Sequence, residues 1–175
     1  MKSCCLWFQV AFGIAALPFA TFSGCNIQLG SVNQVKYERT VSRELATVTA
    51  ANLDVDSSSG SIKVTGTDGN DGSITALIVA RAPTEAEAQE LAEQVEIRSD
   101  ADAETLKIRA DTPDLASNRS ISVSYTISVP RRMSVLALSQ YGSLDIAGVQ
   151  GTVKGRTSSG SVEAKDIGGP LDLDT

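Results

Sequence analysis

The chain has 175 residues and a net charge of −6, and is 42% hydrophobic, 21% charged and 5% aromatic. That length suits one domain plus a targeting segment, and the acidic balance argues against a nucleic-acid partner, whose phosphates call for clustered Lys and Arg. Histidine is absent altogether, which excludes His-based acid–base catalysis, His-containing triads and imidazole metal sites.

The three cysteines, Cys4, Cys5 and Cys25, all lie near the N-terminus, so the body holds neither a thiol nucleophile nor a disulfide. Lys2 precedes an apolar run from Leu6 to Ala20, interrupted by Gln9 and Pro18, and small residues then lead into Cys25. A positive start, a run of this length and small residues behind it form the pattern of a secretory signal. The stretch Phe22-Ser23-Gly24-Cys25 resembles the lipobox of bacterial lipoproteins. That resemblance implies a signal peptide over 1–24, a diacylglyceryl group on the Cys25 sulfur, and cleavage just before it. Phe22 stands where that family most often has Leu, whereas Ser23 and Gly24 fit. Several acyl chains on one residue meet the need for more than one lipid in stable anchoring. Asn26, in place of Asp, is similar to the outer-membrane sorting pattern and implies that address in an organism with two membranes. The competing reading is an uncleaved anchor over Leu6 to Phe22, which is at the lower length limit for a span and disfavoured by Pro18. Cys4 and Cys5 fall in the part expected to be removed.

Residues 25–34 read as a short polar tether. From Val35 the chain alternates through Tyr37 and Val41, the mark of a half-buried strand, and Val48, Ala50, Leu53 and Val55 continue it after a phase slip near Ala51-Asn52. Asp68-Gly69-Asn70-Asp71-Gly72 predicts a hairpin turn, since Asp-Gly favours turns. It lacks the spacing and distal Glu of an EF-hand and the Gly-Gly-x-Gly-x-Asp pattern of calcium-binding β-rolls. No metal or cofactor is expected.

Strands are predicted over Ile74–Ala80, Val95–Arg98, Leu106–Ala110 and Ile121–Val129, with a polar loop over Asp111–Arg119. One helix interrupts them, over Thr84–Gln94. Thr84 and Glu87 are spaced as a capping box, in which Thr84 caps and Glu87 reaches back, while Ala88, Leu91, Ala92 and Val95 share one face. Arg131-Arg132 after Pro130 reads as a solvated strand start.

The most informative region begins at Val135. Gly142-Ser143-Leu144 and Gly160-Ser161-Val162 stand 18 residues apart, and the same offset relates Val135, Val153 and Leu171, then Ser139, Thr157 and Thr175. An earlier copy runs through Leu53, Val55, Ser57 and Gly60-Ser61-Ile62. A fixed period of about twenty residues predicts a solenoid, because each unit is too small to bury its own inward side chains. The expected fold is mainly β: a β-solenoid of single-stranded, β-helix-like coils with one short helix insert. Glycines recur at its corners, making Gly60, Ser61, Gly142, Ser143, Gly160 and Ser161 the corner positions.

The motif Ser-x-x-Gly-Ser with alternating apolar residues, a helix-bearing insert and Val129-Pro130 before a second motif copy resembles the bacterial putative-adhesin family of cell-envelope β-solenoids. The likeness covers roughly residues 45–175 and implies a domain over 35–175. That family's name rests on its fold, so the resemblance supplies no catalytic residues. The sequence stops inside a repeat, at Leu171-Asp172-Leu173-Asp174-Thr175. An uncapped coil leaves unpaired strand edges, and the expectation is a truncated chain or an open end that pairs with another protein.

The serines of Ser57-Ser58-Ser59-Gly60-Ser61 have no histidine to activate them and read as a corner. Asp145 and Glu163, on neighbouring coils, are the only carboxylates worth weighing for a polysaccharide-acting enzyme. The resulting expectation is a non-enzymatic module of the bacterial cell envelope, held to the membrane by lipid on Cys25 and binding a glycan or another envelope protein.

Overall fold

A computed structural model describes residues 34–45, 48–102 and 104–175. Cys25, the 1–24 leader and all of the tether but Gln34 lie outside the described residues. The first strand, β1 (Val35–Leu45), turns Tyr37, Arg39 and Val41 inward and leaves the alternate positions exposed. Val48 and Ala50 are buried in the connection that follows, and the phase slip marks the start of β2 (Asn52–Ser59).

The chain then forms β3 (Ile62–Thr67), β4 (Gly72–Ala82) and α1 (Glu85–Gln94). After the helix come β5 (Glu96–Ala101), β6 (Thr105–Asp111), β7 (Ser120–Pro130) and β8 (Ser134–Tyr141). The short strands β9 (Leu144–Ala147), β10 (Val153–Ser159), β11 (Val162–Lys165) and β12 (Leu171–Asp174) complete it. The protein is therefore mainly β with one helix. Its strands form two six-stranded mixed sheets, the first in the order β1-β4-β7-β3-β9-β11 and the second in the order β12-β10-β8-β2-β6-β5. β1, β4 and β5 pair antiparallel with their neighbours, and every other pairing is parallel.

The strand registers show how the repeat is used. Val135 lies beside Val153 and Val153 beside Leu171 in the second sheet, while Leu144 lies beside Val162 in the first. Each 18-residue unit thus carries two strands, one for each sheet. The earlier copy is a direct neighbour: Leu53 pairs with Val135, Val55 with Ala137, and Ile62 with Leu144. Stacked in this way, Leu53, Val55, Ile62, Val64, Leu144 and Ile146 are fully or almost fully buried between the sheets. Burial of one aliphatic side chain stabilises by about 1.5–3 kcal/mol, which no single pair of strands collects alone.

Spatial order and chain order differ. β6 and β7 stack on one side of β2 and β3, and β8 and β9 on the other. Between Pro130 and Ser134 the chain therefore crosses the β2–β3 level, with Arg131 N–H donating to Thr67 O at 3.0 Å and Ser134 N–H to Ala51 O at 2.9 Å. Met133 is fully buried in this crossing. The arginines here do not start a strand; they lie in the turn before β8, Arg132 exposed and Arg131 half-buried. Arg131 Nε lies 3.0 Å from Asp68 Oδ1, a charge contact without hydrogen-bond alignment. Arg132 donates to Asn70 Oδ1 at 2.6 Å and to Val48 O at 2.9 Å.

The loop these arginines hold is not a hairpin turn either. β7 sits between β3 and β4, so residues 68–71 carry the chain over an intervening strand. Asp-Gly marks a change of direction in sequence, and a long-range strand inserted later separates the two arms.

α1 packs against β1 and β4 with Ala88, Leu91 and Ala92 buried. Thr84 caps its start, accepting from Glu87 N–H at 3.3 Å. The Glu87 carboxylate does not complete the box; it takes Arg119 at 3.1 Å and ties the helix to the loop before β7. The last turn has no basic residue of its own. Arg39 on β1 supplies one, donating to Ala92 O at 3.0 Å and Val95 O at 3.3 Å, where the helix dipole favours a cation.

Candidate functional site

The three Gly-Ser pairs stand in one column. The parallel pairings of β2, β8 and β10 and of β3, β9 and β11 carry the chain from the second sheet to the first at the same level in each coil, so Gly60, Gly142 and Gly160 stack. The Cβ that each glycine lacks would fall on the peptide of the coil beneath: 2.5 Å from Val123 C for Gly60 and 2.7 Å from Gly142 C for Gly160. Gly60 also has φ +122, a region that residues with a Cβ rarely enter.

Backbone bonds knit the corners. Gly60 N–H donates to Tyr141 O at 2.9 Å and Gly142 N–H to Ser159 O at 3.0 Å. On the far side, Ile62 N–H donates to Ser143 O and Leu144 N–H to Ser161 O, each at 2.9 Å.

The serine after each glycine points outward. Ser61, Ser143 and Ser161 are exposed, and Ser143 Oγ and Ser161 Oγ lie 3.2 Å apart. The ladder has a rung that the motif did not reveal. Ile62 pairs with Tyr125, so Ser124 stands beside Ser61, whose N–H donates to Ser124 Oγ at 3.3 Å. Ser124 escapes a motif search because Val123 replaces the glycine there.

A second hydroxyl column runs behind the first, at Ser57, Ser139 and Thr157, all buried. Ser57 Oγ donates to Val123 O at 3.3 Å, and Thr157 Oγ1 to Gly142 O at 3.0 Å. Each reaches the corner carbonyl of the neighbouring coil. The equivalent acceptor for Ser139 is Gly60 O, yet Ser139 Oγ has no partner among the described residues.

Tyr141 was not singled out by the repeat, since the matching residues are Ser59 and Ser159. It is 64% exposed, flanked by those serines and one residue from the glycine column. An aromatic ring with a hydroxyl tip beside a row of hydroxyls offers an apolar face together with donors and acceptors.

Asp145 and Glu163 are brought together as expected, directly paired in register. They sit on the outer face of the first sheet, and each has a lysine: Lys63 is 3.8 Å from Asp145, and Lys165 is 2.7 Å from Glu163. The hydrogen bond and charge of Glu163 raise the Lys165 ammonium above its usual range. Two cavities lie away from these carboxylates, one of them beside Ser57 of the hydroxyl column. An open one of about 600 Å³ is lined by Glu44, Asp71, Ser73 and Ser128, and one of about 190 Å³ by Ser57, Arg109, Leu115 and Ile121.

No family model matches the chain, and no curated protein matches it. Among solved structures, a "putative adhesin" from Parabacteroides merdae is 12% identical, covering 77% of this chain and 52% of its own, with a TM-score of 0.46. A "putative cell adhesion protein" from Clostridium sporogenes is 8% identical over 80% of this chain and 99% of its own, with a TM-score of 0.35. A "putative adhesin" from Parabacteroides distasonis is 9% identical over 78% and 66%, with a TM-score of 0.37. The chain spans about half the length of the first of these. Likenesses at this level carry no argument about activity or partner.

Proposed function

We propose that this chain is a lipid-anchored module of the bacterial cell envelope that binds an extended ligand along a β-solenoid and performs no chemistry on it. The observation that carries the reading is the ladder of exposed Ser61, Ser143 and Ser161, continued by half-buried Ser124, beside Tyr141. Strands in a sheet repeat about every 4.8 Å, so the ladder offers one hydroxyl per coil at a pitch comparable to one sugar ring of an extended glycan. In the same reading the domain over 35–175 hangs on a tether over 25–34, and Cys25, the one thiol beyond the leader, carries the lipid.

The catalytic alternative draws on Asp145 and Glu163. Their placement on an open sheet face, each beside a lysine, lacks the cleft in which two carboxylates flank a scissile bond.

Two measurements test the proposal. The full chain is passed over a panel of immobilised envelope glycans while the liquid phase is assayed for released sugar. Retention without release is expected; release that disappears in Asp145→Asn would replace the binding reading with a catalytic one. Labelled-lipid incorporation is expected in the wild type and absent in Cys25→Ala, and equal labelling of both would remove the anchor.

A further inference from the structure

On five of the six strands of the second sheet, all but the edge strand β5, the central outward positions carry charge in stripes, one sign or none for each strand. At the two central outward positions, β6 presents Lys107 and Arg109, β2 Asp54 and Asp56, β8 Leu136 and Leu138, β10 Lys154 and Arg156, and β12 Asp172 and Asp174. The registers align them into rows: Lys107–Asp54–Leu136–Lys154–Asp172, and beside it Arg109–Asp56–Leu138–Arg156–Asp174. From β6 to β12 the sequence of signs is positive, negative, neutral, positive, negative, while β5 beyond β6 presents Glu96, Arg98 and Asp100 with mixed signs. The pattern is antisymmetric about β8.

An antisymmetric face is complementary to itself. We infer that this face pairs with the same face of a second copy of the chain, about a two-fold axis that runs along β8. Rotation about that axis exchanges the left and right of the sheet and keeps each row at its own level. Lys107 then faces Asp172 of the second copy, Asp54 faces Lys154, Arg109 faces Asp174, Asp56 faces Arg156, and the leucines meet at the centre. A two-fold axis across the strands instead sets each stripe against its own sign, so charge alone selects the arrangement. Sheets that stack in this manner sit about 10 Å apart with strands nearly aligned, and an isologous contact closes as a dimer.

Within one chain each of these charges stands beside an opposite charge on the neighbouring strand, but few of them close to ion-pair distance. Arg109 Nη2 lies 3.7 Å from Asp54 Oδ2, and Lys107 is 3.8 Å from Asp102. Among the described residues, Asp56, Lys154, Arg156, Asp172 and Asp174 make no ion pair. An open groove of about 470 Å³ crosses this face between Lys107 and Lys154, with Asp54 and Leu136 on its floor. Lys154 and Leu136 of the second copy are the groups that enter it. On β2, β8 and β10 neutral residues flank the charged rows, with Asn52, Ser134 and Thr152 on one side and Ser58, Gln140 and Ser158 on the other, while β6 adds Asp111 at that second edge, giving the polar rim common to interfaces.

Five strands and four outward rows span roughly 500 Å² per copy, below the ~800 Å² of a standard stable interface. The dimer is accordingly weak and salt-sensitive in solution. Confinement of both copies to one membrane, which rests on the anchor proposed above, raises their effective concentration.

The test is sedimentation equilibrium of the full chain in density-matched detergent, over a concentration series and at low and high salt. Concentration-dependent dimer is expected at low salt, weakening at least tenfold at high salt because the pairs are exposed. Lys154→Asp/Arg156→Asp and Asp54→Lys/Asp56→Lys are each expected to be monomeric, and their equimolar mixture to dimerise, since each supplies the sign the other lost. A wild type that stays monomeric at millimolar concentration in low salt overturns the inference without relying on any variant. So does a dimer indifferent to salt, or a mixture that behaves as its two parts. None of these results touches glycan retention on the serine ladder, which belongs to the other sheet and the corner.

Discussion

A Cβ on Gly142 would sit 2.6 Å from the carbonyl carbon of Gly60. The two coils meet there backbone to backbone, and the obstacle is a peptide group fixed by its own sheet, not the end of a side chain. Gly155 looks similar in sequence and differs in space. The first atoms a Cβ would meet there are Leu173 Cδ2 at 3.0 Å and Val162 Cγ1 at 3.4 Å, both on side chains able to shift. Gly142→Ala is therefore expected to cost about 3 kcal/mol, at the upper end of common single substitutions, and to lower Tm by roughly 6–12 °C. Gly155→Ala is expected within about 1 kcal/mol of wild type, because the lost backbone freedom of the unfolded chain offsets the tighter fit. Equal melting of wild type and Gly142→Ala would refute the close-packed corner.

How much of this was legible in the sequence follows from what a repeat can encode. The 18-residue offset aligned Val135 with Val153 and Gly142 with Gly160, the shared motif aligned Leu53 with Val135 and Gly60 with Gly142, and all of these pairs are neighbours in space. Offsets do not record the order in which coils stack, so the insertion of β2 and β3 between β6–β7 and β8–β9 was invisible. The same limit explains the loop at Asp68-Gly69: local turn chemistry reports a reversal but not the strand later placed between its arms. The helix was found from its apolar face and Thr84, whereas the Glu87–Arg119 pair and the Arg39 cap join residues far apart in the chain. Ser124 and Tyr141 belong to the candidate site through cross-strand register alone.

The buried hydroxyl column contains one odd rung. Ser139 Oγ is buried without a partner among the described residues, whereas Thr157 Oγ1 donates to Gly142 O. A buried unpaired hydroxyl costs stability, and a made bond contributes about 1 kcal/mol. Ser139→Ala is expected to be neutral or stabilising by up to about 1 kcal/mol, and Thr157→Val to destabilise by about 1 kcal/mol. Urea denaturation of both variants reads the difference. Similar losses in the two would mean that Ser139 makes its bond to Gly60 O in solution.

Tyr141 is the exposed aromatic of the ladder, and its removal separates binding from folding. With most of its surface in water, Tyr141→Ala is expected to change stability by no more than about 0.5 kcal/mol. Retention on the glycan panel is expected to fall at least tenfold, with Tyr141→Phe intermediate because the ring persists without its hydroxyl. Full retention by Tyr141→Ala would move the binding surface away from this corner.

Tyr125 makes the fold sensitive to alkali. Its hydroxyl is buried with no partner among the described residues, and burial, aided by the negative charge of Asp56, pushes its pKa up to about 12 from an ordinary 10. The unfolded chain ionises this phenol near pH 10 and the folded chain near 12, so between those values the unfolded state binds fewer protons and stability falls as pH rises. Below pH 10 both states keep the proton and the group adds no pH dependence. The loss amounts to at most about 3 kcal/mol across the window, taking 1.36 kcal/mol per unit. Tyr125→Phe deletes the ionisable group and an unsatisfied hydroxyl together. It is expected to match or exceed wild-type stability at pH 7 and to decline less steeply above pH 10. Urea midpoints from pH 8 to 12 check this, and parallel curves for the two proteins would assign the alkaline loss to other groups.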